Sequence, residues 1–208
     1  MKVALLNGSP HKNGCTNRAL EEIAATLAEE GIESEILWIG HDAVHGCQAC
    51  GGCTRKGEGR CIFDDVANEI NAAFEAADGI IVGSPVYYAG MNGALHAALD
   101  RVYYSNSKSM AHKPAAGIAS ARRAGTTPTI DQINKYFQIN QQPVISSTYW
   151  PMVHGKCAED VEQDLEGLHT MRTLARNMAY QLKMQQAAAA AGVELPELEP
   201  KSWTNFIR

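Results

Sequence analysis

Val3-Ala4-Leu5-Leu6-Asn7-Gly8-Ser9-Pro10-His11-Lys12-Asn13-Gly14-Cys15-Thr16-Asn17 is the stretch whose reading decides the fold. Four consecutive apolar residues closed by turn formers read as a strand buried on both faces. A helix is expected from about Thr16, with Leu20, Ile23, Ala24 and Leu27 on one face and Gly31 as its stop.

The same alternation continues outward. Ile36 to Ile39, Gly79 to Gly83, Ala115 to Ser120 and Val144-Ile145 read as four more strands. Between them, Asp64 or Asp65 can cap a helix whose inner face is Val66, Ile70, Ala73, Phe74 and Ala77. Met91, Leu95, Ala98 and Val102 mark the next helix, and Ile130, Ile133 and Phe137 another. A long helix is expected from about Ala158 to Ala191, with Val161, Leu165, Leu168, Met171, Ala175, Met178 and Leu182 at steps of three and four. Five short apolar strands separated by helices predict an α/β protein with a doubly wound parallel sheet. Residues 1–191 are expected to form this domain, with a cysteine-rich insertion at 40–63. Residues 192–208 carry Pro196, Pro200, Trp203 and Phe206, and are expected to dock on the body or on a neighbouring subunit.

Composition narrows the function classes. The 208 residues are 45% hydrophobic and 20% charged, with a net charge of −5, so the electrostatic footprint of a nucleic-acid binder is missing. No apolar run approaches the ~20 residues of a membrane span. The N-terminal apolar stretch is too short for a signal peptide, and a cytoplasmic location is expected. Four of the six cysteines crowd between Cys47 and Cys61, which in a reducing compartment points to metal or redox chemistry rather than disulfide staples.

In an open α/β sheet, ligands bind beyond the carboxyl ends of the strands. Three strand-end loops carry suitable groups. The first runs from Ser9 to Asn17; its hydroxyls, amides, Lys12 and Gly14 stand at a helix N-terminus, where free N–H groups and the helix dipole favour a dianion. It is neither G-x-x-x-x-G-K-[ST] nor G-x-G-x-x-G, so no ATPase or Rossmann site is indicated. The second loop runs from Gly83 to Gly93, with small residues that admit a flat ligand and Tyr87 or Tyr88 to stack on it. The third runs from Ser120 to Thr126 and adds hydroxyls and the guanidiniums of Arg122 and Arg123. His41, His45, His96, His112 and His169 read as surface or structural residues, while His154 follows the fifth strand near the site.

Cys47-x2-Cys50-x2-Cys53-x7-Cys61 lets four thiolates converge on one [4Fe–4S] cluster, and Gly51 and Gly52 let the backbone wrap closely around an inorganic core. A tetrahedral zinc site and a metal-free loop are the rivals, although zinc usually prefers two separated C-x-x-C knuckles. Cys15 and Cys157 lie outside the cluster and read as packing or phosphate-loop residues.

Together the stretches Lys2 to Asn17, Asp78 to Arg101 and Lys113 to Gly155, with the four-cysteine segment, resemble the NAD(P)H-dependent FMN reductase and iron–sulfur flavoprotein group of the flavodoxin-like superfamily. The resemblance covers roughly the first three quarters of the chain. It implies strand order 2-1-3-4-5, and an FMN phosphate held by Ser9, His11, Cys15, Thr16 and Asn17. It also implies an isoalloxazine ring bordered by Pro85, Val86, Tyr87, Tyr88, Met91, Asn92 and Gly93, with Ser120 and Gly125 on its other edge. The chain departs from the group at Arg122-Arg123, where small residues are commoner, and at Cys15, where Ser or Asn is more usual.

The implied activity is hydride transfer from NAD(P)H to flavin, then electron transfer to a quinone, a metal, another small acceptor or a redox protein. No side chain is assigned a catalytic role, because the cofactor carries the chemistry. The alternatives are a non-enzymatic electron carrier and a flavin-free module with a structural metal. Apolar faces on the helix after the second loop and on the long C-terminal helix lead to the expectation of a homodimer or homotetramer, with no nucleic-acid or membrane partner.

Overall fold

The computed structural model describes residues 1–197, 199–200, 202 and 204–206. The elements in chain order are β1 (Lys2–Asn7), α1 (Cys15–Glu29), β2 (Glu33–Trp38), α2 (Gly52–Lys56), α3 (Val66–Ala76) and β3 (Gly79–Pro85). They continue with α4 (Gly93–Met110), β4 (Ala115–Ala121), α5 (Thr126–Ile139), β5 (Met152–His154), α6 (Ala158–Val161) and α7 (Leu165–Ala190). The strands form one parallel sheet in the order β2-β1-β3-β4-β5. This is the doubly wound flavodoxin-like arrangement, in which the order reverses between β1 and β3.

The two-residue period of a strand divides the core between the faces. Val3, Leu5, Ile81 and Ile118 turn towards α1 and α7, where they meet Leu20, Ile23, Met171 and Leu174. Ala4, Leu6, Ile80 and Val82 turn the other way, onto Phe74 of α3, Leu95 and Leu99 of α4 and Phe137 of α5. Covered on both sides, the inner strands must be apolar throughout, which is why they read so plainly.

Three elements differ from the sequence expectation. β5 is Met152–His154, not Val144-Ile145. The earlier pair touches only the start of β4, through a single bridge from Val144 to Ala115 and a bond from Ile145 N–H to the Ala115 carbonyl. The expected long helix is broken into α6 and α7 at Asp164, whose carboxylate accepts from Gly167 N–H at 2.9 Å and from His154 N–H at 2.6 Å. Tying the helix start to β5 turns the chain there, and Leu165, expected on the inner face, is exposed. Within the cysteine segment, read as irregular, a short α2 forms between Gly51 and Gly57. Asp65 caps α3 as expected, accepting from Ala67 N–H at 3.0 Å. Of the tail aromatics, Trp203 lies outside the described residues, and Phe206 is 94% exposed.

Candidate functional site

The β1–α1 loop is organised from within by Asn7, which is fully buried at the end of β1. Its Oδ1 accepts from Ser9 N–H at 3.0 Å, and its Nδ2 donates to the Lys12 carbonyl at 3.1 Å and to Asn17 Oδ1 at 3.3 Å. Ser9 Oγ in turn accepts from His11 N–H. Gly8 N–H donates to the Gly83 carbonyl at 2.8 Å; a Cβ on Gly8 would lie 2.8 Å from that oxygen and 2.5 Å from Leu95, so only glycine lets the first two loops approach this closely.

α1 then begins without a side-chain cap. Gly14 stands at the N-cap, and the first turn holds no acidic residue. By helix geometry the N–H groups of Cys15, Thr16 and Asn17 have no intrahelical acceptor, which leaves the helix start positive. Thr16 does not cap the helix; its hydroxyl is buried against Ser120 Oγ at 2.8 Å, clasping the first loop to the third.

The second loop is a hairpin. Tyr87 and Gly90 exchange backbone bonds of 2.9 and 3.0 Å around Tyr88 and Ala89, at φ +48° and +59°. Two successive left-handed residues define a type I′ turn, and holding non-glycine residues there costs roughly 1–2 kcal/mol each. Val86 N–H donates to the Ser120 carbonyl, joining this loop also to the third. Behind it, Met91 N–H bonds Gln132 Oε1, and Asn92 caps α4 through Ala94 and Leu95 N–H.

These loops enclose a cavity of about 470 Å³. Of the expected cofactor residues, Ser9, His11, Cys15, Thr16, Pro85, Val86, Tyr87 and Ser120 line it. Lys12, Asn17, Tyr88, Met91, Asn92, Gly93 and Gly125 are not among the lining residues. Lys12 lies over the Trp38 ring instead, and Asn17 bonds Asn7 and Glu21. Tyr88 is fully exposed, and Met91, Asn92 and Gly125 shape the loops from behind.

One wall largely escaped sequence reasoning: Gly155, Lys156 and Glu159, after β5, stand there with Cys157, which was read as a packing or phosphate-loop residue. They follow a strand that sequence reasoning placed too early; His154 at its end, already placed near the site, was the available signal. Here Cys15 Sγ donates to the Cys157 carbonyl at 3.2 Å. Burial pushes the Cys15 thiol above its ordinary pKa, and a bond to Glu159 pushes Cys157 up as well, so both are protonated near neutrality.

Cys47, Cys50, Cys53 and Cys61 line a second cavity, of about 160 Å³, with Ile62, Phe63, Arg101 and Tyr104. All four are free thiols. A Cβ on Gly52 would fall 2.4 Å from Ile62, so glycine lets the start of α2 lie close against that side chain. The sulfurs stand around the wall: among the described residues, no three Cys, His, Asp or Glu side chains sit close enough to grip a single ion. Arg101 enters from α4, and its Nε donates to Cys61 Sγ at 3.2 Å. Burial opposes the guanidinium charge, but bonds to Asp65 and Cys61 outweigh that and hold its pKa above the ordinary value.

A five-stranded sheet in this order, with a ligand-sized cavity over its carboxyl edge, defines a flavodoxin-like α/β protein. Residues 1–156 match the NADPH-dependent FMN reductase family, and the chain belongs to that family. It is 33% identical over 193 residues to an iron–sulfur flavoprotein of Methanocaldococcus jannaschii, covering 88% of this chain and 98% of that one. An iron–sulfur flavoprotein of Methanosarcina thermophila is 29% identical over 190 residues, covering 89% and 97%. Among solved structures, a flavone reductase superposes with a TM-score of 0.70 at 16% identity, over 90% of this chain and 65% of that one. Among the described residues, no helix is long and apolar enough to cross a membrane.

Proposed function

We propose that the chain is an FMN-dependent oxidoreductase that takes reducing equivalents from NADPH and delivers them to a quinone, metal, other small acceptor or redox protein. The observation that carries this is the meeting of three strand-end loops and the uncapped start of α1 around one cavity. Its size lies within the ~300–1,000 Å³ of small-molecule sites. The free N–H groups of Cys15 and Thr16, which line the cavity, would hold the phosphate, as helix N-termini do. Pro85, Val86 and Tyr87 would wall the ring, and the Thr16–Ser120 clasp joins the first loop to the third within the same cavity. Arg122 and Lys156, which line the cavity, meet the phosphates of the nicotinamide nucleotide. When bound, FMN supplies hydride acceptance and release of electrons singly or in pairs.

Cys47, Cys50, Cys53 and Cys61 fit an iron–sulfur group in donor type, and all four line one cavity. Four thiols share one cavity, and among the described residues no three such side chains are close enough to grip one zinc ion, whose sulfurs must all lie ~2.3 Å from a point. In that reading these cysteines hold a [4Fe–4S] cluster, which supplies one-electron transfer. Homodimer or homotetramer formation is part of the same proposal; the exposed rings of Tyr104, Tyr149, Trp150 and Tyr180 support it.

The absorption spectrum tests the core of this reading. Protein incubated with FMN should keep bands near ~370 and ~450 nm after gel filtration, and NADPH should bleach them. Loss of the bands on filtration overturns the flavin site; bleaching only by a protein donor makes the chain a carrier. Cys50→Ser should remove iron and acid-labile sulfide while leaving FMN bound, and unchanged iron would take the cluster away from this cavity.

A further inference from the structure

Arg101 lies within α4 at 1% exposure, beside the core residues Ala98 and Val102. A guanidinium carries five N–H groups, and here all five find acceptors. Nε donates to Cys61 Sγ at 3.2 Å. Nη1 donates to Asp65 Oδ2 at 2.5 Å and to the His45 carbonyl at 3.2 Å. Nη2 donates to Asp65 Oδ1 and to the Phe63 carbonyl, both at 2.8 Å. His45 stands two residues before the first cysteine of the cavity and Phe63 two residues after the last. One buried side chain thus closes the segment that carries all four thiols.

The geometry points to Arg101 as the positioning residue of the cysteine cavity: it holds both ends of the cysteine segment together, fixes the Cys61 sulfur in place and donates a hydrogen bond to it. As a proposal about electron transfer, this rests on the reading that the four cysteines hold a cluster. A donor to a ligand sulfur favours the more negative, reduced form, so the bond raises the reduction potential. Lysine keeps the charge but cannot serve these acceptors with a planar fork.

The test compares wild type with Arg101→Lys and Arg101→Gln in the full chain, FMN-loaded and reconstituted anaerobically with iron and sulfide. FMN content and circular dichroism report the fold. Arg101→Lys should retain FMN, release iron to a chelator about tenfold faster or more, and shift the midpoint potential of its EPR signal to more negative values. In iron-free protein, maleimide labelling of Cys61, read by peptide mass spectrometry, should speed up several-fold. Wild-type potential and wild-type Cys61 labelling in Arg101→Lys would overturn the proposal. A wild type that takes up no iron defeats the cluster reading, while labelling still decides whether Arg101 holds Cys61. If both variants lose FMN, Asp65→Asn decides: the loosened guanidinium should expose Cys61 to labelling, and an unchanged rate overturns the assignment.

Discussion

The two cavities of this protein are held by different means. The larger is an extension of the sheet: bonds from Gly8 to Gly83, Val86 to Ser120 and Gly155 to Ala121 tie its walls to the buried ends of β1, β3 and β4. The smaller hangs on a segment between β2 and α3 whose regular element is the short α2; Asn68 and Asn71 of α3 hold its later part, and the Arg101 guanidinium from α4 joins its two ends. A cradle built into the core is stiff because the core is stiff. A loop gathered by a few side chains is as firm as their bonds.

Arg101→Met should have the largest effect and strain the comparison most. Removing Arg101 leaves the Asp65 carboxylate, 27% exposed, without its ion partner, which costs about 3 kcal/mol, the low end for buried pairs, so the thermal midpoint should fall and the cysteines become reactive. The FMN affinity of the remaining folded protein should hold; an equal collapse of flavin binding in titrations would mean that the two cavities are not independent.

Cys15→Asp acts on the other cavity. A carboxylate at the first helical position suits the α1 dipole but cannot donate to the Cys157 carbonyl and stands near Glu159 and Asp160, so stability should fall slightly; it also occupies the field meant for a phosphate. FMN should bind about 10- to 100-fold more weakly, or roughly 1.4–2.8 kcal/mol, with iron content unchanged. Flavin fluorescence titration measures this, and undiminished affinity would move the phosphate away from α1.

Glu22→Gln should have the smallest effect and touch neither cavity. Glu22 accepts from Arg18 at 2.8 Å and from Arg172, joining α1 to α7. Burial opposes its charge, but the two guanidiniums prevail and hold its pKa below the ordinary value. The folded-state pKa is depressed, so the stabilisation is complete above the unfolded value of ~4.3 and is lost as pH falls through the folded one. The variant should lose about 1 kcal/mol at pH 7 and nothing in strong acid. Thermal melts across pH 2–7 should show the curves converging at the acid end; parallel curves would mean that the ion pair contributes nothing.

How much could be read beforehand follows the same division. β1, β3 and β4 were legible because two-sided burial leaves them almost wholly apolar; the edge strand β2 opens on Glu33-Ser34-Glu35, and only its apolar half from Ile36 stood out. β5 was not legible: it pairs with β4 alone, over three residues, and only Val153 among them is fully buried. Asp164 hid the break before α7 because the apolar period runs on through Leu165, and the carboxylate's second partner, His154 N–H, is brought to it by folding. The three cradle loops stood out as turn formers at strand ends, but Asn7 passed as punctuation although its amide shapes the first of them. Arg101 left no local trace. Its side-chain partners lie 36 and 40 positions away, and a charge beside Ala98 and Val102 resembles any solvated helix position.

The clasp between Thr16 and Ser120 carries two hydrogens and uses one. Either hydroxyl can be the donor, so the spare hydrogen can swing into the cavity from the helix side or from the strand side. An incoming acceptor on either flank finds a donor by rotation of C–O bonds alone, and the backbone around it need not move.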